Sequence, residues 1–155
     1  MSFEEIRVIT VVYSAVLLPL FIYLRNKSRL PNWVPTFYLV GVVACALGWE
    51  IWFTYGWIDG DSVDIRRSGA LNSWLPKNIN WLLNSMGDAG AVLLGGAWLM
   101  WISHKKDSIV FKKWKWSAFS VLMIWCVGQN ILVEMFLYHD QLAAGKPLSW
   151  APLSP

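Results

Sequence analysis

The chain has 155 residues, of which 56% are hydrophobic and 15% charged, a balance too apolar for a water-soluble domain of that length. Four apolar stretches of about 19 to 24 residues match the ~20 that a helix needs to cross a hydrocarbon core, which excludes a large water-facing domain. The net charge of +3 and isoelectric point near 9.0 do not point to nucleic acid, because the basic residues cluster beside the apolar runs rather than along one polar face.

In chain order, the apolar runs predict helices over 6–25, 34–57, 79–103 and 116–138. The expected fold is all-α: a polytopic membrane protein, a four-transmembrane-helix bundle forming one membrane domain over 1–155. Glu4 and Glu5 precede the first helix with Arg7 as the one positive residue, and no small-x-small site follows, so this helix reads as an anchor rather than a cleaved leader. Pro19 falls inside it, which bilayer helices tolerate when a neighbour satisfies the freed carbonyl. Pro35 sits in the first turn of the second helix, where it needs no such help. Residues 58–78 contain Gly60, Gly69 and Pro76 with six charges and read as a surface loop, with Trp74 and Leu75 dipping back toward the interface. The tail over 139–155, rich in proline from Pro147 onward, lacks helical periodicity and is expected at the bilayer surface or over the bundle.

Charge sets the expected orientation. The connections between helices 1 and 2 and between helices 3 and 4 hold Arg25, Lys27, Arg29, Lys105, Lys106, Lys112, Lys113 and Lys115. On the other side Arg7, Arg66, Arg67, Lys77 and Lys146 are offset by Glu4, Glu5, Asp59, Asp61, Asp64 and Asp140. The positive-inside rule therefore predicts cytoplasmic short loops, with both termini and the long loop outside or in a lumen.

Twelve tryptophans are present. Trp33, Trp57, Trp74, Trp101, Trp114 and Trp116 fall near predicted helix ends, where an amphipathic indole suits the headgroup region. Trp49, Trp52, Trp81, Trp98 and Trp125 lie at or within the spans, where they either pack ordinarily or wall a flat apolar or cationic ligand.

Three acids, Glu50, Asp88 and Glu134, lie in predicted spans, where a carboxyl is costly unless neutral, paired or hydrated. Counted back from the outer helix ends they lie roughly 10, 14 and 6 Å deep. Asn80, Asn84 and Asp88 recur every four residues, and at 100° per residue they share one arc of helix 3 with Gly87, Ala91 and Gly95. On helix 4 Cys126, Asn130 and Glu134 form a stripe with Gln129 at its edge, and on helix 2 Ala46, Glu50 and Thr54 do the same. Three polar faces at matching depth read either as glue between helices or as a chamber in which the acids share protons, at least one of them protonated at neutral pH.

Several chemistries are set aside. His104 and His139 are predicted on opposite sides of the membrane, which removes a bis-histidine haem. Cys45 and Cys126 form no CxxC pair and read as reduced, packed residues. No zinc cluster and no Walker, GxSxG or GxGxxG pattern is present, and Glu134 and His139 are five apart rather than in a Glu-x-x-His pair. No cofactor is expected.

The run Glu50, Trp52, Phe53 and Tyr55 ahead of an acidic loop, with Gly128 and Gln129 in a later membrane helix, resembles the emopamil-binding protein family, whose sterol isomerases move a ring double bond with intramembrane acids. That family usually carries a histidine four residues ahead of the glutamate, where this chain has Ala46, and counts one more membrane helix than the four predicted here. The Trp49–Glu50 dipeptide is also similar to the small integral-membrane terpene cyclases, whose glutamate protonates a polyprenyl epoxide or alkene. Both resemblances imply acid/base chemistry on an isoprenoid- or sterol-like lipid. The residues suit it independently: a neutral carboxylic acid, a second group to remove a proton, and aromatic faces for a carbocation. The expected catalytic residues are Glu50 as acid and Asp88 or Glu134 as base. Trp49, Trp52, Trp81, Asn80, Asn84, Gln129 and Asn130 are expected to bind the substrate. The expected partners are the bilayer and an apolar lipid in an intramembrane pocket. The alternatives are an accessory subunit of a membrane complex or homo-oligomer, and a proton or ion transporter, which would want polar stations in both halves.

Overall fold

Ser2 starts the first helix, α1 (Phe3–Asn26), through a capping box: its Oγ accepts from Glu5 N–H at 3.2 Å, and the Glu5 carboxylate accepts from Ser2 N–H at 2.7 Å. The computed structural model describes residues 1–29, 32–58, 61–62 and 67–133, with only the backbone of Glu4, Asn26, Arg29, Trp57, Ile58, Asp61 and Ser62. After a 3-10 turn at Lys27–Arg29 come α2 (Val34–Leu47) and α3 (Trp49–Tyr55), which Gly48 separates with a bend of 42°. The single helix expected over 34–57 is thus two. No side chain on Gly48 pins it in the helical well, and its backbone there (φ −84°, ψ −113°) lies outside that well.

The expected surface loop over 58–78 is more structured than its charges suggest. A two-residue antiparallel pair joins β1 (Trp57–Ile58) to β2 (Asp61–Ser62), the one β element among the described residues. Helix α4 (Gly69–Trp74) then docks on the start of α1. Leu71 and Leu75 bury themselves there against Val8 and Val12, the main apolar core among the described residues. Trp74 stays exposed, so only its backbone takes part, its carbonyl accepting from the Tyr13 hydroxyl at 3.1 Å. Ser68 caps α4 and donates to the Glu5 carboxylate, while buried Arg67 donates to Asn72 Oδ1 at 2.7 Å and to the Leu75 carbonyl.

The next helix runs unbroken from Lys77 to Ser103, but not with one pitch. It is α5 (Lys77–Gly87), then a π segment (Asp88–Leu94), then α6 (Gly95–Ser103). It is central: α5 lies against α1, α2 and α3, the π segment against α1, α2 and α7, and α6 against α7 (Trp116–Leu132). Small residues permit these approaches. A Cβ on Gly41 would stand 2.8 Å from Leu93 Cδ1 and 3.3 Å from Ala89 Cβ, and one on Gly96 would stand 2.6 Å from Leu122 Cδ1.

Two helices, Glu5–Arg25 and Lys77–Ser103, are long and apolar enough to cross a membrane, and the bent α2–α3 pair makes a third. The fourth expected helix is apolar over Trp116–Leu132, 17 residues, and 134–138 lie outside the described residues, as does the tail. Leu39, Leu47, Trp52 and Ile124 are more than 60% exposed on the helix exteriors, a surface that lipid accommodates and water does not. Arg25, Lys27 and the lysines of the α6–α7 connection gather at the end away from α4, where Trp33 meets Phe111 edge-on at 5.4 Å.

Candidate functional site

Two irregularities of the span-length helices, the Gly48 bend and the π segment, each fall beside a carboxyl group. Glu50 follows the Gly48 break by two residues and is buried (6% exposed), and Thr54, one turn on, is buried with it. Asp88 opens the π segment and is half-buried. The indole of Trp49 joins the two helices, its Nε1 donating to Asp88 Oδ2 at 2.7 Å, a short bond of the kind a carboxylate accepts. The fully buried Cys45 thiol lies within electrostatic reach of both Asp88 and Glu50. Two acids and a thiol therefore share the seam between α2–α3 and the central helix.

Indole and phenol donors line the same seam. Trp81 Nε1 donates to the Ala46 carbonyl at 2.9 Å, two residues before the break, and Tyr38 donates to the Met86 carbonyl at 3.3 Å, just before the π segment. Tyr55 donates to Asn78 Oδ1 at 2.8 Å, meets Trp81 edge-on at 6.2 Å and has the Lys77 ammonium over its ring at 4.9 Å. Asn80 and Ser85 are buried and Asn84 half-buried along α5, with Ser85 Oγ donating to the Trp81 carbonyl at 2.7 Å. Irregular backbone survives in a bilayer when neighbours satisfy it. Trp81 does so beside the Gly48 break and Tyr38 beside the π segment.

The expected stripe Ala46, Glu50 and Thr54 is buried as a unit. The expected arc on the central helix is not a single face. Asp88 meets Trp49 of α3, whereas a Cβ on Gly95 would lie 3.2 Å from Trp125 Nε1 of α7. The count of 100° per residue holds for an α-helix, and the wider π turn resets the phase in between. The third polar face goes elsewhere too. Gln129 donates from Nε2 to the Cys126 carbonyl at 3.2 Å and borders a groove between α6 and α7, and Asn130 is exposed. Glu134 and His139 lie outside the described residues.

The tryptophans divide by role. Trp81 and Trp125 are both backbone donors, Trp125 Nε1 serving the Ala91 and Val92 carbonyls of the π segment at 3.0 and 3.2 Å. Trp52 and Trp98 are 66% and 57% exposed on the outer surface, away from the carboxyls. Trp49 is the half-exposed indole that touches one of them. Among the described residues no three His, Cys, Asp or Glu side chains converge as metal ligands.

The Gly48 break, the π segment and the place of Cys45 were not read from the sequence. Cys45 stands five residues before Glu50, and its approach to Asp88 depends on long-range packing. Comparison with family models, curated proteins and solved structures finds no match.

Proposed function

We propose that the chain is an integral-membrane enzyme that uses intramembrane carboxyl groups to isomerise or cyclise an isoprenoid- or sterol-like lipid, with Glu50 as acid and Asp88 as base. The carrying observation is that the Gly48 bend lies two residues from buried Glu50 and the π segment opens on Asp88. π turns recur at functional sites, and a carboxyl inside a span is costly without a task. In this reading the Glu50 carboxylic acid adds its proton to an alkene carbon, leaving a carboxylate and a carbocation. The Asp88 carboxylate then takes a proton from a neighbouring carbon, and the double bond re-forms one position along. A proton passing from Asp88 to Glu50 resets the pair, so the product is an isomer and nothing is consumed. The Trp49 face beside Asp88 is of the kind that stabilises a cation. The same reading takes 116–138 as a fourth span and places the basic end in the cytoplasm.

The test is solvent-proton exchange. The purified chain in detergent is incubated in deuterated water with its co-purified lipid extract, and the lipids are weighed by mass spectrometry. Wild type should incorporate deuterium. Glu50→Gln and Asp88→Asn should each slow incorporation by about 10²- to 10⁴-fold with melting temperatures unchanged or raised, since each removes an ionisable group from an apolar seam, buried at Glu50 and half-buried at Asp88. A folded Glu50→Gln protein that exchanges at the wild-type rate ends the acid assignment.

One observation favours a second reading, an assembly subunit. Asn130 is exposed on α7 about 21 Å along the helix from Trp116, at a depth where an amide gains from a partner helix. A strictly monomeric chain in mild detergent would remove it.

A further inference from the structure

We propose that the basic end of this chain binds an anionic phospholipid, its headgroup on the turn that follows α6 and one acyl chain in the groove between α6 and α7. The site is separate from the Glu50–Asp88 seam and does not depend on the reading given to it. Two independent features meet there.

The first is the groove. It measures about 440 Å³ and is lined by Ile102 and Ser103 of α6 and by Val121, Ile124, Gly128 and Gln129 of α7, among others. Its walls are almost wholly apolar. A Cβ on Gly128 would meet nothing within 4 Å among the described residues, so the α7 wall leaves open space at this point. The lining residues from Val121 to Gln129 run about 12 Å along the helix. A hydrocarbon chain is the occupant that a bilayer presents to an open apolar furrow of this shape.

The second is the charge at the end of its α6 wall. Lys105 N–H donates to the carbonyl of Ile102, itself a groove residue, at 3.1 Å, and Lys106 N–H donates to the Trp101 carbonyl at 2.9 Å. Both lysines are thus mounted on the last turn of the groove wall. Both hold left-handed backbone, with φ of 58° and 62°, a conformation lysine rarely adopts and one that persists where surrounding structure or a ligand compensates it. Lys112 and Lys113 are exposed on the same connection, with the exposed indoles of Trp114 and Trp116 beside them. Its single acid, Asp107, is occupied in accepting from Ile109 N–H at 2.9 Å. A face of net positive charge flanked by interfacial indoles complements a phosphodiester that carries net negative charge. A zwitterionic headgroup lacks that charge.

The experiment uses the purified full-length chain in detergent, titrated with phosphatidylglycerol or with phosphatidylcholine of the same acyl chains, and reads melting temperature and lipid retention by native mass spectrometry. Phosphatidylglycerol should raise the melting temperature and remain bound, and phosphatidylcholine should do neither. The double variant Lys105→Asn, Lys106→Asn removes two charges with a residue that tolerates left-handed backbone. It should bind phosphatidylglycerol roughly tenfold or more weakly. Gly128→Leu fills the groove where nothing obstructs it, so the lipid-free protein should melt no lower than wild type while phosphatidylglycerol retention falls. Equal response of wild type to the two lipids overturns the proposal. Undiminished phosphatidylglycerol binding in either variant does so as well, and so does a dimer that Gly128→Leu dissociates, which would give the groove to a second copy of the chain.

Discussion

The two seams that meet on the central helix solve the same backbone problem with the same indole donor and differ in what they bury. Between α2–α3 and α5, an indole from Trp81 reaches a carbonyl beside the Gly48 break. Between α7 and the π segment, an indole from Trp125 reaches the Ala91 and Val92 carbonyls. The first seam then buries Glu50, holds Asp88 through Trp49 and encloses Cys45. The second continues along α6 as glycine against Leu122 and Trp125, opening into an apolar groove. An irregular helix is therefore no mark of chemistry by itself, since both seams have one and both satisfy it. What separates them is the placement of the residues most costly to bury.

The largest effect expected on this comparison is Gly96→Leu. Even a Cβ there would lie 2.6 Å from Leu122 Cδ1, and a full side chain has to push α7 away, at about 1–3 kcal/mol. The melting temperature in detergent should fall while solvent-deuterium incorporation at the first seam keeps its wild-type rate below the transition. Loss of exchange in proportion to stability would show the two seams to be one unit. The next effect is smaller and should be equal on the two sides. Trp81→Phe and Trp125→Phe each remove an indole donor from an irregular carbonyl, at about 0.6 to 1.7 kcal/mol in a membrane setting. If only one of the pair destabilises, the shared role of the indoles fails.

Sequence reasoning reached the helices because apolar runs of span length carry the signal over many residues. It also reached the buried stripe Ala46, Glu50 and Thr54, which follows from helical periodicity, and the close approach at Gly95, although on a different face from the one expected. It missed the break at Gly48, because a lone glycine in a span is compatible with a straight helix and only the neighbours decide. It missed the π segment for a related reason: a count at constant pitch assumes the regularity in question, and so it put Gly95 on the face of Asp88. Helix α4 was hidden between a run of charges and Pro76. Its six residues are too few for periodicity to register, yet Leu71 and Leu75 supply half of the main apolar core. The indole roles of Trp81 and Trp125 depend on partners 35 and 34 residues away, which local pattern does not encode.

The smallest effect concerns Trp52, the one expected substrate-binding indole that points away from both carboxyls. It is 66% exposed on the same short helix as Glu50, two residues on, and two residues on a helix subtend about 200°, nearly opposite faces. Burial of Glu50 therefore turns Trp52 outward. An indole facing lipid gains little that a phenyl ring does not also gain, so Trp52→Phe should change stability by less than about 0.5 kcal/mol. It should leave deuterium incorporation within about twofold of wild type, since no transition-state contact is lost. Trp49→Phe is the matched control, because it keeps an aromatic face and removes the Nε1 donor from Asp88. It should slow incorporation more than Trp52→Phe does. If Trp52→Phe instead slows exchange tenfold or more at unchanged stability, the substrate reaches the carboxyls across the outer face of α3, and the seam is entered from the side that the exposed indole now guards.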